Sequence, residues 1–443
     1  MDITFKIIES MKNRFSKILI LFLAFFPFLV QAQFDGEFVK PRNGRFLLKN
    51  ATIVTVTKGV IENGSVLLKN GKIEAIGQNI DGGDAEIIDC TNLYIYPGLI
   101  DGGSRLGLVE VNSVPETQDY AEIGQVTPNM QALVAVNPNA VAIPVTRVSG
   151  VTTTLAIPSG GLFPGTAALI NLNGYNADQM YAGFKGVVMN FPSSARRSTW
   201  DRRSDEDIKK ESDEALKTLN EIWKKAETYL ELKKESAQLQ YYPEMDQLSK
   251  VVAGELPLLV EVNAASDIEK ALKWLQEKKV KAILTGVAEG WRVADKIAAA
   301  GFPVITGPVL SIPTRQSDRY DAAYTNPGKM VKAGVKVVLR SNDAENTRNL
   351  AFHAGFAGAY GMGKEEALKA VTINAAEVFG LAKTRGSIEV GKDATLLVAT
   401  GDPFETRSQI RHVFIDGYRI PMSNRHIQLY QEFLERSPGL NKN

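Results

Sequence analysis

A chain of 443 residues can bury a large core and hold a barrel-sized domain beside a smaller unit. Its 44% hydrophobic and 23% charged residues exclude a disordered or fibrous protein. The formal net charge of +1 supplies no electrostatic reason to expect nucleic acid as a partner.

At the N-terminus Lys12, Arg14 and Lys17 precede an apolar run from Ile18 to Val30, and Val30-Gln31-Ala32 offers small or apolar residues where a signal peptidase reads. This pattern predicts a signal peptide over residues 1–32, cleaved after Ala32, and a periplasmic or secreted product. The apolar run is short for a membrane anchor. Met11 is an alternative start, because MKNRFSK makes a cleaner basic region than the ten residues before it. Residues 1–32 hold four basic side chains (Lys6, Lys12, Arg14, Lys17) and two acidic ones (Asp2, Glu9), so the remainder carries 47 basic against 48 acidic. Its one cysteine, Cys90, has no partner for an internal bridge, and stability falls to the core.

From Arg45 to Ile76 apolar runs alternate with turns, and Asn70-Gly71 is a hairpin signal because a tight turn wants positive φ at both positions. A similar unit returns at Gly386 to Ile420, with Asp416-Gly417 as its turn. Neither set of strands can bury both faces alone. The economical reading is one small β-sandwich, residues 40–96 and 379–425, built from both ends of the chain around an inserted domain of residues 97–378, with a tail at 426–443.

The inserted domain opens with YIYPGLIDGGSRLGL, Tyr94 to Leu108: a short strand, a Pro-Gly turn, and a strand ending in Asp101. Residues 110–130 are polar and aperiodic, a loop expected to cover the barrel mouth. Arg147 to Gly174 reads as a helix end, a β-branched strand and a glycine-rich βα loop; Gly160-Gly161 lacks the lysine of a phosphate cradle. Residues 201–236 are dense in charge, with Leu216, Leu219, Ile222, Trp223, Ala226, Tyr229 and Leu230 forming one apolar seam. They predict a single amphipathic helix whose charged face is solvated, with a partner seated at Trp223 as the minor alternative. Strands LPLLVEV, VKAILTGV, PVITGPVL and VKAGVKVVLRSND then alternate with helices, and Ser266 or Asp267 is placed to cap the helix after the first of them. The fold class is therefore α/β, a (β/α)8 TIM-like barrel inserted in a composite β-sandwich.

Three stretches carry a resemblance. Pro97 to Asp101, Arg147 to Gly174 and Gly386 to Leu397 resemble segments of the amidohydrolase superfamily, in its imidazolonepropionase-like, dipeptidase-like branch, whose first segment has the form PGLID-x-H-x-H. The resemblance covers about residues 45–423 and implies the barrel, zinc or another divalent metal held by strand-end histidines, and hydrolysis of carbon–nitrogen bonds. Here the family's first histidine pair falls on Gly103 and Arg105, its fifth-strand histidine near Glu261 with Asn263 two residues on, and its sixth-strand histidine on Gly286 after Thr285. Only the last-strand aspartate has a match, Asp343, the expected catalytic residue. The chain's three histidines, His353, His412 and His426, lie away from strand ends.

Glu261, Asn263 and Asp343 could hold a hard cation weakly, but Arg105 would repel it. Arg105 is read as the replacement cation, either paired with Asp343 or Glu261, clamping a substrate carboxylate, or facing solvent. Ser104 has no histidine beside it for a triad, and Glu261 with Asp343 is a weak candidate carboxylate pair. Arg340 is placed to help neutralise Asp343. The expectation is a family member with a decayed metal site and no metal cofactor, binding a small carboxylated or amide ligand through Ser104, Arg105, Glu261, Asn263, Thr285 and Arg340. The resemblance also implies oligomers, of this chain with itself or with an active amidohydrolase homologue. A hydrolase acting on carbon–nitrogen bonds is the alternative.

Overall fold

A computed structural model describes residues 40–196, 201–235 and 239–436. The expected signal peptide lies outside them. Two sheets organise the chain. The first takes β1 (Phe46–Val54), β2 (Val60–Lys69), β3 (Lys72–Gly77), β4 (Glu86–Asp89) and β5 (Tyr94–Pro97) from one end of the sequence, and β14 (Leu396–Ala399), β15 (Ile410–Ile415) and β16 (Tyr418–Arg419) from the other. Its strand order is β16-β15-β14-β5-β1-β2-β3, with β4 also on β1. The two chain ends are joined where β14 runs antiparallel to β5, Leu397 opposite Tyr96. Both hairpin turns take the left-handed conformation their sequences call for, Asn70 and Gly71 at φ 50 and 76, Asp416 and Gly417 at φ 51 and 81. Phe46 of β1 meets Phe414 of β15 edge to face at 5.3 Å, so this sheet folds over its own apolar filling of Leu48, Leu68, Ile73 and Leu396.

The second sheet runs β6 (Leu99–Ser104), β7 (Val151–Ala156), β8 (Gly165–Asn171), β9 (Tyr181–Asn190), β10 (Leu258–Val262), β11 (Ala282–Gly286), β12 (Val304–Thr306) and β13 (Val337–Leu339) in spatial order. Its ends approach one another: Asn342, just past β13, donates its N–H to Gly103 O of β6 at 2.9 Å. The result is a near-closed eight-stranded barrel, and it departs from the regular repeat in one place. The glycine-rich stretch after β7 leads to no helix; it returns as β8, antiparallel to both β7 and β9. The expected βα step is a β-meander, because Gly165 to Asn171 is a buried seven-residue strand directly after a turn.

Along the barrel strands alternate residues point inward. Ile100, Leu155, Leu169, Val188, Leu259, Ile283, Ile305 and Val338 make one apolar interior. The end at the strands' N-termini is plugged by Ala375, Ala376 and Phe379, with Phe379 packed on Phe184 at 4.8 Å. Outside, α1 (Asp205–Glu235) buries the apolar seam read from the sequence. Trp223 is 1% exposed and stands edge to face with Trp274 of α2 (Ala265–Lys278) at 5.0 Å. That packing corrects the alternative in which Trp223 seats a partner. Farther along are α3 (Ala322–Lys332), α4 (Leu350–Ala357) and α5 (Ile373–Val378), and the tail forms α6 (Arg425–Glu435).

Candidate functional site: the barrel mouth

Strand parity builds the mouth. Leu259 of β10, Ile283 of β11 and Val338 of β13 face the barrel axis, so the residues two positions on, Glu261, Thr285 and Arg340, face it one layer higher. There the lining changes from apolar to polar. Arg340 reaches from the last strand to the fifth and grips Glu261 with both terminal nitrogens, Nη1 to Oε2 and Nη2 to Oε1, each at 2.8 Å. Its Nε donates to Gly307 O at 3.2 Å. Glu261 also accepts from Thr285 Oγ1 at 2.7 Å and Asn263 Nδ2 at 3.2 Å. The Arg340 side chain is 4% exposed and that of Glu261 27%. Burial pushes the Glu261 carboxyl up, but the Arg340 charge and the hydrogen bonds from Arg340, Thr285 and Asn263 outweigh it and hold it below the ordinary glutamate range.

The pair forms part of the wall of a cavity of about 840 Å³, which also takes in Asn263, Asn342, Glu289 and Arg315. Glu289 is gripped by Arg315 through Nε and Nη2, and accepts from Thr314 Oγ1 at 3.2 Å and from the N–H of Ala265 at 3.0 Å. Glu289 thus caps α2 from another element. Ser266 and Asp267, the expected caps, sit inside the first turn, and Asp267 instead accepts from Ser193 Oγ at 3.1 Å and Ser194 N at 2.9 Å.

Two positions bear directly on a metal. A Cβ on Gly286 would stand 2.5 Å from Glu261 Oε1, and one on Gly103 would collide with Ile157 Cδ1 and lie 3.7 Å from Arg340 Cδ. Neither site has room for an imidazole as the walls are packed. Both Glu261 oxygens are already engaged by a guanidinium, and among the described residues no group of three or more His, Cys, Asp or Glu side chains could share an ion. The donor set does not fit a divalent metal.

Of the residues expected at the site, Glu261, Asn263, Thr285 and Arg340 meet; Ser104, Arg105 and Asp343 do not join them. Arg105 lies over the Tyr120 ring, 4.1 Å from its centroid, and donates to Ser159 Oγ at 3.3 Å. It pairs with neither Asp343 nor Glu261, because the 110–130 loop folds back on the turn after β7 and captures it. That loop is absent from the cavity wall. Ser104 Oγ is buried against Thr154 Oγ1 at 2.9 Å. Asp343 accepts from Asn346 N at 2.8 Å, and Arg340 pairs with Glu261 and not with Asp343. Asn342, left-handed at φ 56, turns the chain so that it lines the cavity in place of its neighbour.

Two supports went unread in the sequence. Asp101, fully buried in β6, accepts from Ser341 N and Oγ at 2.8 Å and from Thr154 Oγ1 at 3.0 Å, fixing the residue next to Arg340. Burial lifts its carboxyl to about 6 against the pull of those hydrogen bonds. His353 on α4 accepts at Nδ1 from the N–H groups of Val309 and Leu310, at 3.1 and 3.2 Å, and so holds the mouth loop after Pro308. Burial drives its imidazole down to about 4, which keeps it neutral. The only signal for Asp101 was its place in the PGLID stretch.

Comparison with known proteins agrees with this architecture. The model of the amidohydrolase family matches residues 146–420. An amidohydrolase from Thermotoga maritima MSB8 superposes with a TM-score of 0.76 at 26% identity, over 86% of this chain and 100% of that one. The D-hydantoinase of Geobacillus stearothermophilus is 41% identical over 80 residues, 18% of this chain and 16% of that enzyme. The imidazolonepropionase of Thermoplasma volcanium is 36% identical over 87 residues, 19% of this chain and 22% of that protein. Each of these two matches thus covers less than a quarter of the relative's length.

Proposed function

The chain belongs to the amidohydrolase family, and from that premise we propose that it is a ligand-binding member, of the imidazolonepropionase-like branch, in which an arginine–carboxylate pair has taken the place of the metal centre. One observation carries the reading: the buried Arg340 guanidinium spans the mouth and holds both oxygens of Glu261. A carboxylate so engaged, beside a fixed positive charge, is a poor ligand for a second cation and a poor base, since its proton affinity is lowered. The cavity around it has the size and mixed lining of a small-molecule site. The reading includes export, supported by the basic and then apolar N-terminal stretch, and association with another copy or with an active homologue, as the resemblance implies.

The comparisons favour a second reading, hydrolysis of a carbon–nitrogen bond, because relatives are named for that chemistry. One experiment separates the two. The full chain is freed of metal by a chelator, supplied with zinc or manganese, and assayed with N-acyl amino acids and dipeptides, alongside metal content and melting temperature. The proposal expects no stoichiometric metal, no upward shift in melting and no turnover. Metal-dependent turnover that disappears in Glu261→Gln would establish the hydrolase instead.

A further inference from the structure

We infer that the mouth cavity selects an uncharged, hydrogen-bonding ligand and excludes carboxylates and amines; this rests on the ligand-binding reading above. Among the described residues, five ionisable side chains line the wall: Arg196, Glu261, Glu289, Arg315 and Arg340. Each is already answered within the protein. Glu261 is held by Arg340 and Glu289 by Arg315, both in two-point grips, and both carboxylates take further hydrogen bonds from neighbouring groups. Arg196, on the solvent side, pairs with Asp205 at 2.6 Å and donates to the carbonyls of Asp201 and Arg203 at 2.9 and 2.6 Å. Arg105, the residue best suited by sequence to clamp a carboxylate, is held away by Tyr120 and Ser159.

A ligand bearing a full charge would therefore have to pull apart a bidentate pair or be desolvated beside one with no partner of its own. Both outcomes are unfavourable next to the buried Arg340–Glu261 pair. An uncharged ligand meets neither obstacle. It finds the carboxamides of Asn263 and Asn342 and the hydroxyls of Ser266 and Ser311 among apolar wall from Val309 and Ile312. Asn342 is the natural reader, because its positive φ fixes its place at the rim and among the described residues no side chain hydrogen-bonds its carboxamide.

Ligand-observed NMR on the full chain tests this with a fragment set matched in size and divided equally among uncharged amides and diols, carboxylates, and amines. Cavity binders are those lost in Ser266→Trp, a bulky change at an exposed rim position. The inference expects mostly uncharged cavity binders, each weakened about tenfold or more when a carboxamide is exchanged for a carboxylate. It also expects them to weaken in Asn342→Gly, a substitution that a left-handed backbone accepts without strain. Carboxylates or amines that bind as tightly as the uncharged set overturn the inference and leave the ligand-binding reading standing. If Ser266→Trp removes no binder of any class, both fall.

Discussion

Two arginines lie buried at opposite ends of the barrel, and they are buried for different reasons. Arg385 sits where the barrel meets the composite sheet and is spent entirely on protein groups. Its Nη1 donates to Asn171 Oδ1 of β8, Nη2 to Asp416 Oδ1 in the β15–β16 turn at 2.9 Å, and Nε to Asp393 Oδ2 at 3.3 Å. Arg340 has one carboxylate and one carbonyl, and its ion pair borders a cavity. A guanidinium whose partners are all spent on joining packed elements ties those elements together; one whose carboxylate partner borders a cavity also shapes what can enter. Burial of a charge alone does not distinguish the two, but the distribution of its partners does.

The largest effect is expected at the junction. Arg385→Met takes a hydrogen bond at once from Asp393, Asp416 and Asn171, which among the described residues keep only Lys72, Thr395, Thr153 and each other, and should cost about 3 to 5 kcal/mol, the usual range for breaking a buried ion network from one side. Urea unfolding measures it. A loss below about 1 kcal/mol would mean that the two sheets hold together without this arginine, and the contrast with Arg340 would collapse.

Arg340→Met should cost less, about 2 to 3 kcal/mol, because it leaves one carboxylate without its cation where Arg385→Met leaves two, and Glu261 keeps Thr285 and Asn263. The double variant Arg340→Met with Glu261→Gln is expected to recover to within about 1 kcal/mol of the parent, since the orphaned charge is gone. No equivalent single rescue exists for Arg385, which serves four side chains. If the double variant is no more stable than Arg340→Met, the pair is not the energetic unit argued for here.

Much of this was legible in the sequence, and the limits have physical causes. The Asn70-Gly71 and Asp416-Gly417 turns and the alternating strands gave away the composite sheet because hairpin chemistry is local. Glu261 and Thr285 were found because the family resemblance sets its fifth- and sixth-strand histidines at or beside them, Asn263 because strand parity puts it on the same side as Glu261, and Arg340 through its nearness to Asp343. Which charge meets which was not legible. Arg340 reaches across the mouth to a strand 79 residues away, a matter of barrel closure rather than of spacing. Asp343 was misplaced by a single residue, because the left-handed turn at Asn342 cannot be read from an Asn that would also tolerate a strand. The antiparallel β8 was hidden in the same way: its buried run fits either direction, and only the pairing decides.

The next smaller effect concerns the support of the mouth. His353→Leu leaves the N–H groups of Val309 and Leu310 without their acceptor, and should cost about 2 kcal/mol at pH 7. His353→Asn, which can present an oxygen to both, should lose less than half of that. Equal losses in the two variants, read by thermal melts, would show that ring packing and not the acceptor matters.

The smallest effect at neutral pH, and the most telling, belongs to Asp101. Asn can still accept from Ser341 N while the Thr154 and Ser341 hydroxyls rotate to receive its amide, so Asp101→Asn should change stability by less than about 1 kcal/mol at pH 7. Its signature lies in acid. A carboxyl at about 6 in the fold against an ordinary aspartate's 3.8 is protonated more readily when folded, so its contribution improves as pH falls from about 6 toward 4. The imidazole at about 4 against 6.5 does the reverse: the fold resists its protonation, and stability is lost as pH falls from 6.5 through 4. Each contribution amounts to about 3 kcal/mol at its limit, and between pH 4 and 6 they oppose each other in the parent. Against the parent at each pH, Asp101→Asn should therefore become progressively less stable on acidification, and His353→Asn progressively more stable. Both side chains act on segments that frame Arg340, Asp101 through Ser341 and His353 through Val309 and Leu310, so these opposed slopes mark the mouth and should persist unchanged when Arg385 is replaced. Parallel curves for the two variants would remove the electrostatic account of how this end of the barrel is held.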